Sequence, residues 1–363
     1  MAVTWAAALG WRLRRHYLED ERAESVEAVV GRLVALPAWS GDAGTAIRLR
    51  LAHPAQGELA AAIAEGRIFA TYAFRGATNL MTPSSASVHL ALRCAGRQWE
   101  LASWRKHYRL QPEDWPRLRA TVRDALRDGP LTQHELALAV TKDPAYRHLL
   151  SAFDDRSHTF LKPFGWQGDL CFSQSEGAPT FRLLESVPGW TGLVELDDAG
   201  PRAIRAYLAA YGPATRDRIH YWLGEGLSAG RKRIAGWIGR IDDGLAAVSI
   251  EGAEALCLAE HAEAITSAVA SDRVVLLPGS DQWILGAGTS DTRIVAAEHR
   301  RTATRGANLV LMGGRVRGTW KVDHNTIQVQ WLDGVSAAAP SSVATAADRL
   351  SSALGRHLQV ADH

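Results

Sequence analysis

The sequence contains a repeat that constrains its architecture more than any other feature. Residues 129–140 read GPLTQHELALAV, and residues 212–223, which lie 83 positions later, read GPATRDRIHYWL. In each copy a Gly-Pro pair ends one helix, and Thr132 or Thr215 is placed to cap the next helix by accepting a hydrogen bond from its free backbone N–H groups. Glu135 completes a capping box with Thr132, whereas Arg218 stands at this place in the second copy. Each copy therefore predicts a helix-turn-helix unit.

A third helix and a β-hairpin are predicted after each copy. After the first, we expect a helix at 145–161 and a ribbon of residues 168–172 and 178–185 around a turn at 174–177. After the second, Ser228 is placed to cap a helix through Ile241, and residues 245–250 and 255–258 form the next ribbon. Three helices followed by a hairpin are the order of a winged helix. The predicted fold class is α+β, with tandem winged-helix repeats and a small C-terminal β unit.

Four regions follow from this interpretation. They are a first winged-helix region at 1–125, a second winged helix at 126–190, a third at 191–262, and a C-terminal β unit with a terminal helix at 263–363. The strands predicted in the last region are 273–277, 283–286, 308–312, 315–321 and 326–332. Residues 337–347 are rich in Ala, Ser and Pro, which is typical of a linker, and a final helix is expected at 346–358.

The first region contains a segment that cannot continue a helix. A helix capped by Ser25 must end before Pro37, because the residue before a proline avoids helical backbone angles. Residues 36–42 are therefore predicted to form a turn or an extended loop. Helical patterns resume at 45–51 and 56–64, and residues 67–74 and 78–82 alternate like the two strands of a ribbon.

The composition is that of a globular chain, and its positive charge is concentrated in one stretch. With 363 residues, 47% of them hydrophobic, the chain is long enough for two or three compact units. The net charge of +2 names no partner, but residues 67–123 hold ten Arg or Lys against three Asp or Glu. Within that stretch Arg97, Arg105, Lys106 and Arg109 alternate with aromatic residues, a pattern that suits a nucleic-acid backbone. The alternative is an amphipathic segment whose aromatics are core and whose cations are solvated.

Other classes of site are not indicated by the sequence. The cysteines Cys94, Cys171 and Cys257 are far apart and odd in number, so neither a disulfide framework nor a zinc site is expected, and no cofactor is predicted. The N-terminus lacks the order of a secretory signal and no run reaches transmembrane length, which favours a cytoplasmic protein. We expect a monomer, which would be nucleoid-associated through the basic stretch. Gln328 and Gln330 alternate with apolar residues and are interpreted as the solvent side of an edge strand.

Several runs together resemble a known family. They are FRGATNLM at 74–81, GDLCFSQSEGAPTF at 168–181, RAYLAAYGPAT at 205–215, LPGSDQWILG at 277–286 and GGRVRGTW at 313–320. Their shared order and spacing resemble the bacterial winged-helix DNA-binding family typified by the AlkZ and YcaQ DNA glycosylases. The resemblance implies tandem winged helices arranged around double-stranded DNA. It also implies excision of bulky N7-alkylated or crosslinked purines without a metal.

The sequence departs from this family at the expected catalytic positions. The family's signature is Gln-x-Gln or Gln-x-Asp, and the matching stretch here is LPAWS at 36–40. Pro37 and Trp39 stand where the family has two polar groups that hold an attacking water. Neither side chain can accept a proton or hold water as an amide does. The family often has a histidine in an R-G-T-x-H run, and Asn79 stands there, after Arg75.

Three functional hypotheses follow. In the first, the chain binds duplex DNA, including alkylated or damaged DNA, but lacks the usual catalytic pair, and Trp39 stacks on a base. In the second, an active glycosylase has a rebuilt site in which Asp42 or Asn79 positions the water. In the third, the scaffold serves a non-enzymatic regulator or interaction protein. The candidate DNA-binding residues are Arg75, Arg97, Arg105, Lys106, Arg109 and Trp39.

Overall fold

The chain folds into two compact units, each assembled from separate segments of sequence. The structure is a computed structural model that describes residues 3–39, 41–173, 177–225 and 228–361, without the side chain of Asp242. Unit 1 comprises Met1–Leu59, Ile204–Trp222 and Ile238–His363, and unit 2 comprises Ala60–Ala203 and Leu223–Trp237. The division into four regions made from the sequence stays a prediction.

The helices and strands alternate in an irregular order along the chain. The α-helices are α1 (Trp5–Arg15), α2 (Val26–Leu33), α3 (Ala43–Arg48), α4 (Glu58–Ala64), α5 (Pro83–Cys94), α6 (Ala102–Tyr108), α7 (Trp115–Ala125), α8 (Gln133–Val140), α9 (Leu150–Phe153), α10 (Lys162–Trp166), α11 (Leu196–Tyr211), α12 (Arg216–Gly224), α13 (Arg231–Arg240), α14 (Ala262–Thr266), α15 (Gln282–Ala287), α16 (Arg300–Thr304) and α17 (Pro340–Leu354). The strands are β1 (Leu36–Pro37), β2 (Phe69–Tyr72), β3 (Thr78–Met81), β4 (Leu131–Thr132), β5 (Leu170–Ser173), β6 (Thr180–Leu183), β7 (Leu245–Ile250), β8 (Ala253–Leu258), β9 (Val274–Leu277), β10 (Leu309–Met312), β11 (Arg315–Asp323), β12 (Thr326–Trp331) and β13 (Gln359–Val360). The predicted α+β class is confirmed.

The larger core of unit 1 lies against a five-stranded sheet. Its strand order is β13-β12-β11-β10-β9, with antiparallel pairs except for the short parallel pair of β12 and β13. Trp283 of α15 and Leu350 of α17 are buried in this core beside Leu311 of the sheet. In β12 Ile327 and Val329 are buried while Gln330 is exposed, so the predicted alternation is confirmed over these residues. The predicted edge position of this strand is wrong, because β12 pairs with β11 on one side and with β13 on the other.

In unit 2 the first copy of the repeat forms the predicted helix start. Thr132 Oγ1 accepts a hydrogen bond from the backbone N–H of Glu135 at 3.2 Å, and Glu135 Oε2 accepts one from the N–H of Thr132 at 2.8 Å. This reciprocal pair confirms the capping box. The hairpin of β5 and β6 follows, as predicted, with β4 as its third strand. Residues 174–176 of the predicted turn lie outside the described residues.

The predicted helix at 145–161 is wrong. The chain there forms a 3-10 turn at Pro144–Leu149, the four-residue helix α9, and a turn before α10. Asp155 causes the break, because its carboxylate accepts hydrogen bonds from the N–H groups of Ser157 at 3.0 Å and Thr159 at 3.1 Å. An aspartate that binds its own backbone in this way competes with helix formation.

Two predictions for the C-terminal region are also wrong. The strand predicted at 283–286 is the helix α15, which begins where Asp281 accepts a hydrogen bond from the N–H of Trp283 at 2.8 Å. Almost every residue of this helix is buried, so its sequence lacks the polar face that distinguishes a helix from a strand. Most of the linker predicted at 337–347, from Pro340 onward, belongs to α17, in which Val343, Ala346 and Leu350 follow helical spacing and are buried.

None of the described helices is both long and apolar enough to cross a membrane.

Candidate functional site

The candidate site in unit 1 is the loop of residues 36–42, between α2 and α3. Helix α2 ends at Leu33, and Val34 then takes a positive φ of 70° that turns the chain out of the helix. Leu36 and Pro37 follow in extended conformation and are buried, whereas Trp39 is 55% exposed. Ser40 lies outside the described residues. The loop therefore buries its start and presents one large aromatic ring to solvent.

Gly41 fixes the other end of this loop against the loop before α15. Its φ is +76°, and a Cβ placed on it would lie 2.1 Å from the carbonyl oxygen of Gly279. No side chain fits at that distance, and a positive φ strains any residue with a Cβ. The backbone of residue 41 is therefore in direct contact with the backbone of residue 279.

A buried ion pair joins the same two segments. Arg50 Nη2 donates to Asp281 Oδ1 at 2.8 Å and Arg50 Nη1 donates to Asp281 Oδ2 at 2.9 Å, with both side chains inaccessible to solvent. Asp281 also caps α15, and Arg50 also donates to the carbonyl of Ala46 in α3 at 2.7 Å. The guanidinium group therefore holds α3 and the loop before it at a fixed position on the core of unit 1.

The two segments line a shallow depression. One wall is formed by Leu36, Pro37, Asp42, Ala43 and Ala46, and the other is formed by residues 279–282. Gln282 supplies a primary amide here and is 4% exposed. Sequence reasoning did not single it out, although it lies in the LPGSDQWILG run that carries part of the family resemblance. The depression places this amide near Pro37 and Asp42.

Aromatic side chains also support the loop from beneath. Tyr211 is buried and its hydroxyl donates to the carbonyl of Leu33 at 2.7 Å, while burial raises the pKa of that phenol. The ring of His16 lies 5.1 Å from that of Tyr211 and 5.0 Å from that of Trp283. Burial, followed by the nearby Arg50 and Arg12, lowers the pKa of His16 well below its ordinary value. A neutral His16 therefore supports the loop and does not add charge to it.

Asp42 lies at the edge of the depression with its carboxylate exposed. Its Oδ1 accepts from the backbone N–H of Thr45 at 2.9 Å, and its Oδ2 accepts from Thr45 Oγ1 at 2.5 Å. It is therefore the N-cap of α3. A carboxylate has about four acceptor sites, so these two bonds leave acceptor capacity for a water.

Asn79, the other weak catalytic candidate, lies in β3 of unit 2. It is 6% exposed, pairs with Thr71 across the hairpin and donates through its amide to the carbonyl of Ala77 at 2.9 Å. The preceding Arg75 has a positive φ of 55° in a 3-10 turn, and its Nη1 lies 3.4 Å from Glu225 Oε2. Asp42 and Asn79 thus belong to different units.

The remaining DNA-binding candidates surround helix α6 in unit 2. Arg105 and Lys106 are exposed on α6, Arg109 is exposed at its end with a φ of 53°, and Arg97 forms an ion pair with Glu100. The interleaved Trp99 and Trp104 are buried. They pack into unit 2 and are not available to stack on bases, whereas the cations of this stretch face solvent and Tyr108 is half-buried.

A groove beside α6 collects charges of both signs. It is lined by His107, Arg109, His148 and Asp155 together with neighbouring small and apolar residues. Hydrogen bonds from Ser157 and Thr159 hold the pKa of Asp155 below its ordinary range, so this carboxylate stays negative. The groove therefore combines the cation of Arg109 with a fixed anion. Over residues 3–39, 41–173, 177–225 and 228–361, no group of three or more His, Cys, Asp or Glu residues is arranged to hold a metal.

Comparison with known proteins identifies the class to which this fold and loop belong. A family model described as DNA glycosylase AlkZ-like matches residues 30–353, which include the loop, both copies of the repeat and strands β9 to β12 of the C-terminal sheet. The chain therefore belongs to the AlkZ-like DNA glycosylase family.

Two relatives from Streptomyces sahachiroi make the similarity specific. An interstrand DNA cross-link repair glycosylase is 33% identical over 331 residues, which are 89% of each chain. The solved structure of the DNA glycosylase AlkZ matches with a TM-score of 0.90 at 30% identity, covering 99% of this chain and all of the other. The family resemblance identified in the sequence is confirmed.

Proposed function

We propose that this protein binds double-stranded DNA carrying bulky alkylated or crosslinked purines, and that it does not cleave the glycosidic bond by the family's Gln-x-Gln chemistry. One observation carries the proposal: in the loop at 36–42, Pro37 is buried and Trp39 exposes more than half of its surface. The two positions of the family's polar pair are thus occupied by Pro37, whose ring has no N–H to donate, and by Trp39, whose indole donates a hydrogen bond but cannot accept one.

The chemistry of the reaction explains why these residues matter. Cleavage passes through an oxocarbenium-like state that a positioned water attacks, and the water must be held by groups that accept its protons. Trp39 offers a flat apolar face in place of such groups. Stacking a base or an extruded adduct on that face contributes binding without hydrolysis. In this proposal the protein shields or marks the lesion. It acts as a monomer on bacterial cytoplasmic DNA and needs no cofactor.

A second candidate function is favoured by Asp42. Its exposed carboxylate lies at the edge of the depression and retains acceptor capacity beyond the two bonds from Thr45. A rebuilt glycosylase would use this carboxylate to hold the water. The buried Asn79, whose amide is bonded to Ala77, supports the same role less well.

Base release separates the two functions. The full chain is incubated with a duplex carrying a single N7-alkylguanine, and abasic sites are counted after mild alkali. We expect binding to this duplex and no abasic sites above the protein-free rate. Release of base by the wild-type chain that is lost in Asp42→Ser, which keeps a helix cap but removes the carboxylate, would establish the second function instead.

A restored motif provides the positive control. The double variant Pro37→Gln/Trp39→Gln reintroduces two amides at the positions where the family has its polar pair. Release of base by this variant but not by the wild-type chain supports the proposal directly. Absence of duplex binding by the wild-type chain at low salt would overturn both functions and leave the scaffold as a non-enzymatic interaction protein.

A further inference from the structure

Unit 1 carries a group of exposed arginines that sequence reasoning did not single out. Arg300 and Arg301 lie in the short helix α16 and Arg305 ends it, and all three are exposed. Within the described part of the chain, no hydrogen bond or ion pair reaches these three guanidinium groups. We call Arg300, Arg301 and Arg305 the arginine cluster.

The spacing inside the arginine cluster is unfavourable without an anion. Arg301 and Arg305 are four residues apart on a helical turn, where like charges face each other and repel. Nothing in the described residues neutralises them, although the chain pairs other arginines with carboxylates, as Arg273 with Glu19 and Arg293 with Asp291. An arrangement of this kind is stabilised when an external anion lies between the two groups.

Backbone contacts connect the arginine cluster to the loop that holds Trp39. The residue after Arg305 is Gly306, and a Cβ on Gly279 would lie 2.0 Å from the carbonyl oxygen of Gly306. Gly279 in turn contacts Gly41 in the same backbone-to-backbone way, and its N–H donates to Asn308 Oδ1 at 2.9 Å. Two consecutive backbone contacts therefore connect the loop at 36–42, the loop before α15 and the end of α16, and the bond to Asn308 is a further link between the last two.

This path limits the backbone distance between the arginine cluster and Trp39. With consecutive Cα atoms about 3.8 Å apart and at most about 6 Å between Cα atoms across each backbone contact, the Cα atoms of Trp39 and Arg305 are separated by at most about 24 Å. One strand of B-form DNA rises about 3.4 Å per nucleotide, so that separation corresponds to about seven nucleotides.

We propose that the arginine cluster binds backbone phosphates of the duplex on one side of the nucleotide that meets Trp39. This inference rests on the proposed function, since it requires duplex DNA as the ligand. Guanidinium groups match phosphate oxygens in a bidentate geometry and stay charged at every physiological pH. The contacts are to the backbone, so the arginine cluster sets the register of the loop on the strand without reading sequence.

The salt dependence of binding tests the proposal. Each phosphate contact contributes about 0.9 to the slope of log affinity against log salt concentration for B-form DNA. The full-length double variant Arg301→Gln/Arg305→Gln should therefore lower that slope by about two in a fluorescence-anisotropy titration with a duplex containing an N7-alkylguanine.

The matched control removes the same charge from elsewhere on unit 1. Arg14 and Arg356 are exposed, and the variant Arg14→Gln/Arg356→Gln should keep the wild-type slope. An unchanged slope in the cluster variant overturns the proposal, and so does an equal fall in both variants, because that would reflect net charge alone. Absence of wild-type binding at low salt would instead refute the proposed function.

A second measurement begins with the wild-type chain. Ethylation of single phosphates, spread along the duplex, should weaken its binding at positions within about seven nucleotides of the adduct on one side. Interference at those positions should disappear in Arg301→Gln/Arg305→Gln. Interference confined to more distant phosphates would overturn the assignment.

Discussion

Arg50 and Asp281 are 231 residues apart in sequence and form a fully buried bidentate ion pair at the base of the candidate site. Removing one charge from such a pair leaves the other buried without compensation, which costs about 3–5 kcal/mol. We therefore expect Asp281→Asn to lower the free energy of unfolding by about that amount, although asparagine still caps α15. Urea unfolding of the full chain measures the difference.

The control for this prediction is Asp323→Asn, because Asp323 is exposed on β11 and its loss should change stability by less than about 0.5 kcal/mol. The variant Arg50→Met in the background of Asp281→Asn should recover part of the loss, because the unpaired charge is gone. A loss below about 1 kcal/mol in Asp281→Asn would contradict the assignment of a buried charged pair.

Gly41 gives a prediction about backbone contact. Gly41→Ala introduces a Cβ 2.1 Å from the carbonyl oxygen of Gly279 at a φ of +76°. Gly57→Ala is a matched control, since Gly57 has a φ of +87° and no atom within 4 Å of its Cβ position. Positive φ alone costs about 1 kcal/mol, so Gly41→Ala should destabilise by at least about 2 kcal/mol more than Gly57→Ala. Equal losses in thermal unfolding would show that the loops are not in contact.

Trp39 gives a prediction about lesion recognition. Its side chain is 55% exposed, so Trp39→Ala should leave the melting temperature nearly unchanged. Loss of a stacking ring costs about 1–3 kcal/mol per base, so the preference for adduct-bearing over unmodified duplex should fall about 5- to 150-fold. Trp39→Phe should retain most of that preference. Competition binding with the two duplexes measures it, and Val269→Ala, at 70% exposure, is the surface control.

The buried histidines predict how the stability of the protein depends on pH. Burial lowers the pKa of His89 from 6.5 to about 4, and that of His16 well below its ordinary value. Between these limits the unfolded chain binds more protons than the folded chain, so stability falls as pH falls below about 6.5. For His89 the loss approaches about 3 kcal/mol at pH 4. Urea unfolding at several pH values should show that the free energy of unfolding declines less steeply with falling pH in His89→Gln than in the wild-type chain. An identical decline in the two proteins would contradict this prediction.

Local signals in the sequence were sufficient for the elements that begin with a side-chain cap. Ser25 and Thr132 each accept the hydrogen bond that starts a helix, and the helices follow as predicted. Asp281 caps α15 in the same way, but the buried run after it resembles a strand because no polar face distinguishes the two. Where every face of an element is buried, periodicity carries no information.

The geometry of the candidate site was only partly predictable. The departure at Pro37 and Trp39 is visible in the sequence because it interrupts a motif of adjacent residues. The Arg50–Asp281 pair and the depression with Gln282 depend on contacts between distant segments, which no local pattern encodes. The arginine cluster lies within six residues of sequence, but its connection to the loop at 36–42 depends on such contacts as well. The interleaved tryptophans of α6 and its flank suggested nucleic-acid binding, but Trp99 and Trp104 are buried because their rings complete the core of unit 2.

The contacts of α3 also determine when the site can form. Arg48 in this helix donates to the carbonyl of Ala353 in α17, and Gln56 lies against the same carbonyl, so the loop at 36–42 is braced by the C-terminal helix. During synthesis the ribosome completes α3 some three hundred residues before it reaches Ala353, the residue in α17 that Arg48 contacts. The loop that carries Trp39 therefore reaches its final structure only after nearly the whole chain has been synthesised. In a nascent chain truncated before Pro340, this loop should be cleaved by protease while the hairpin of unit 2 is already protected.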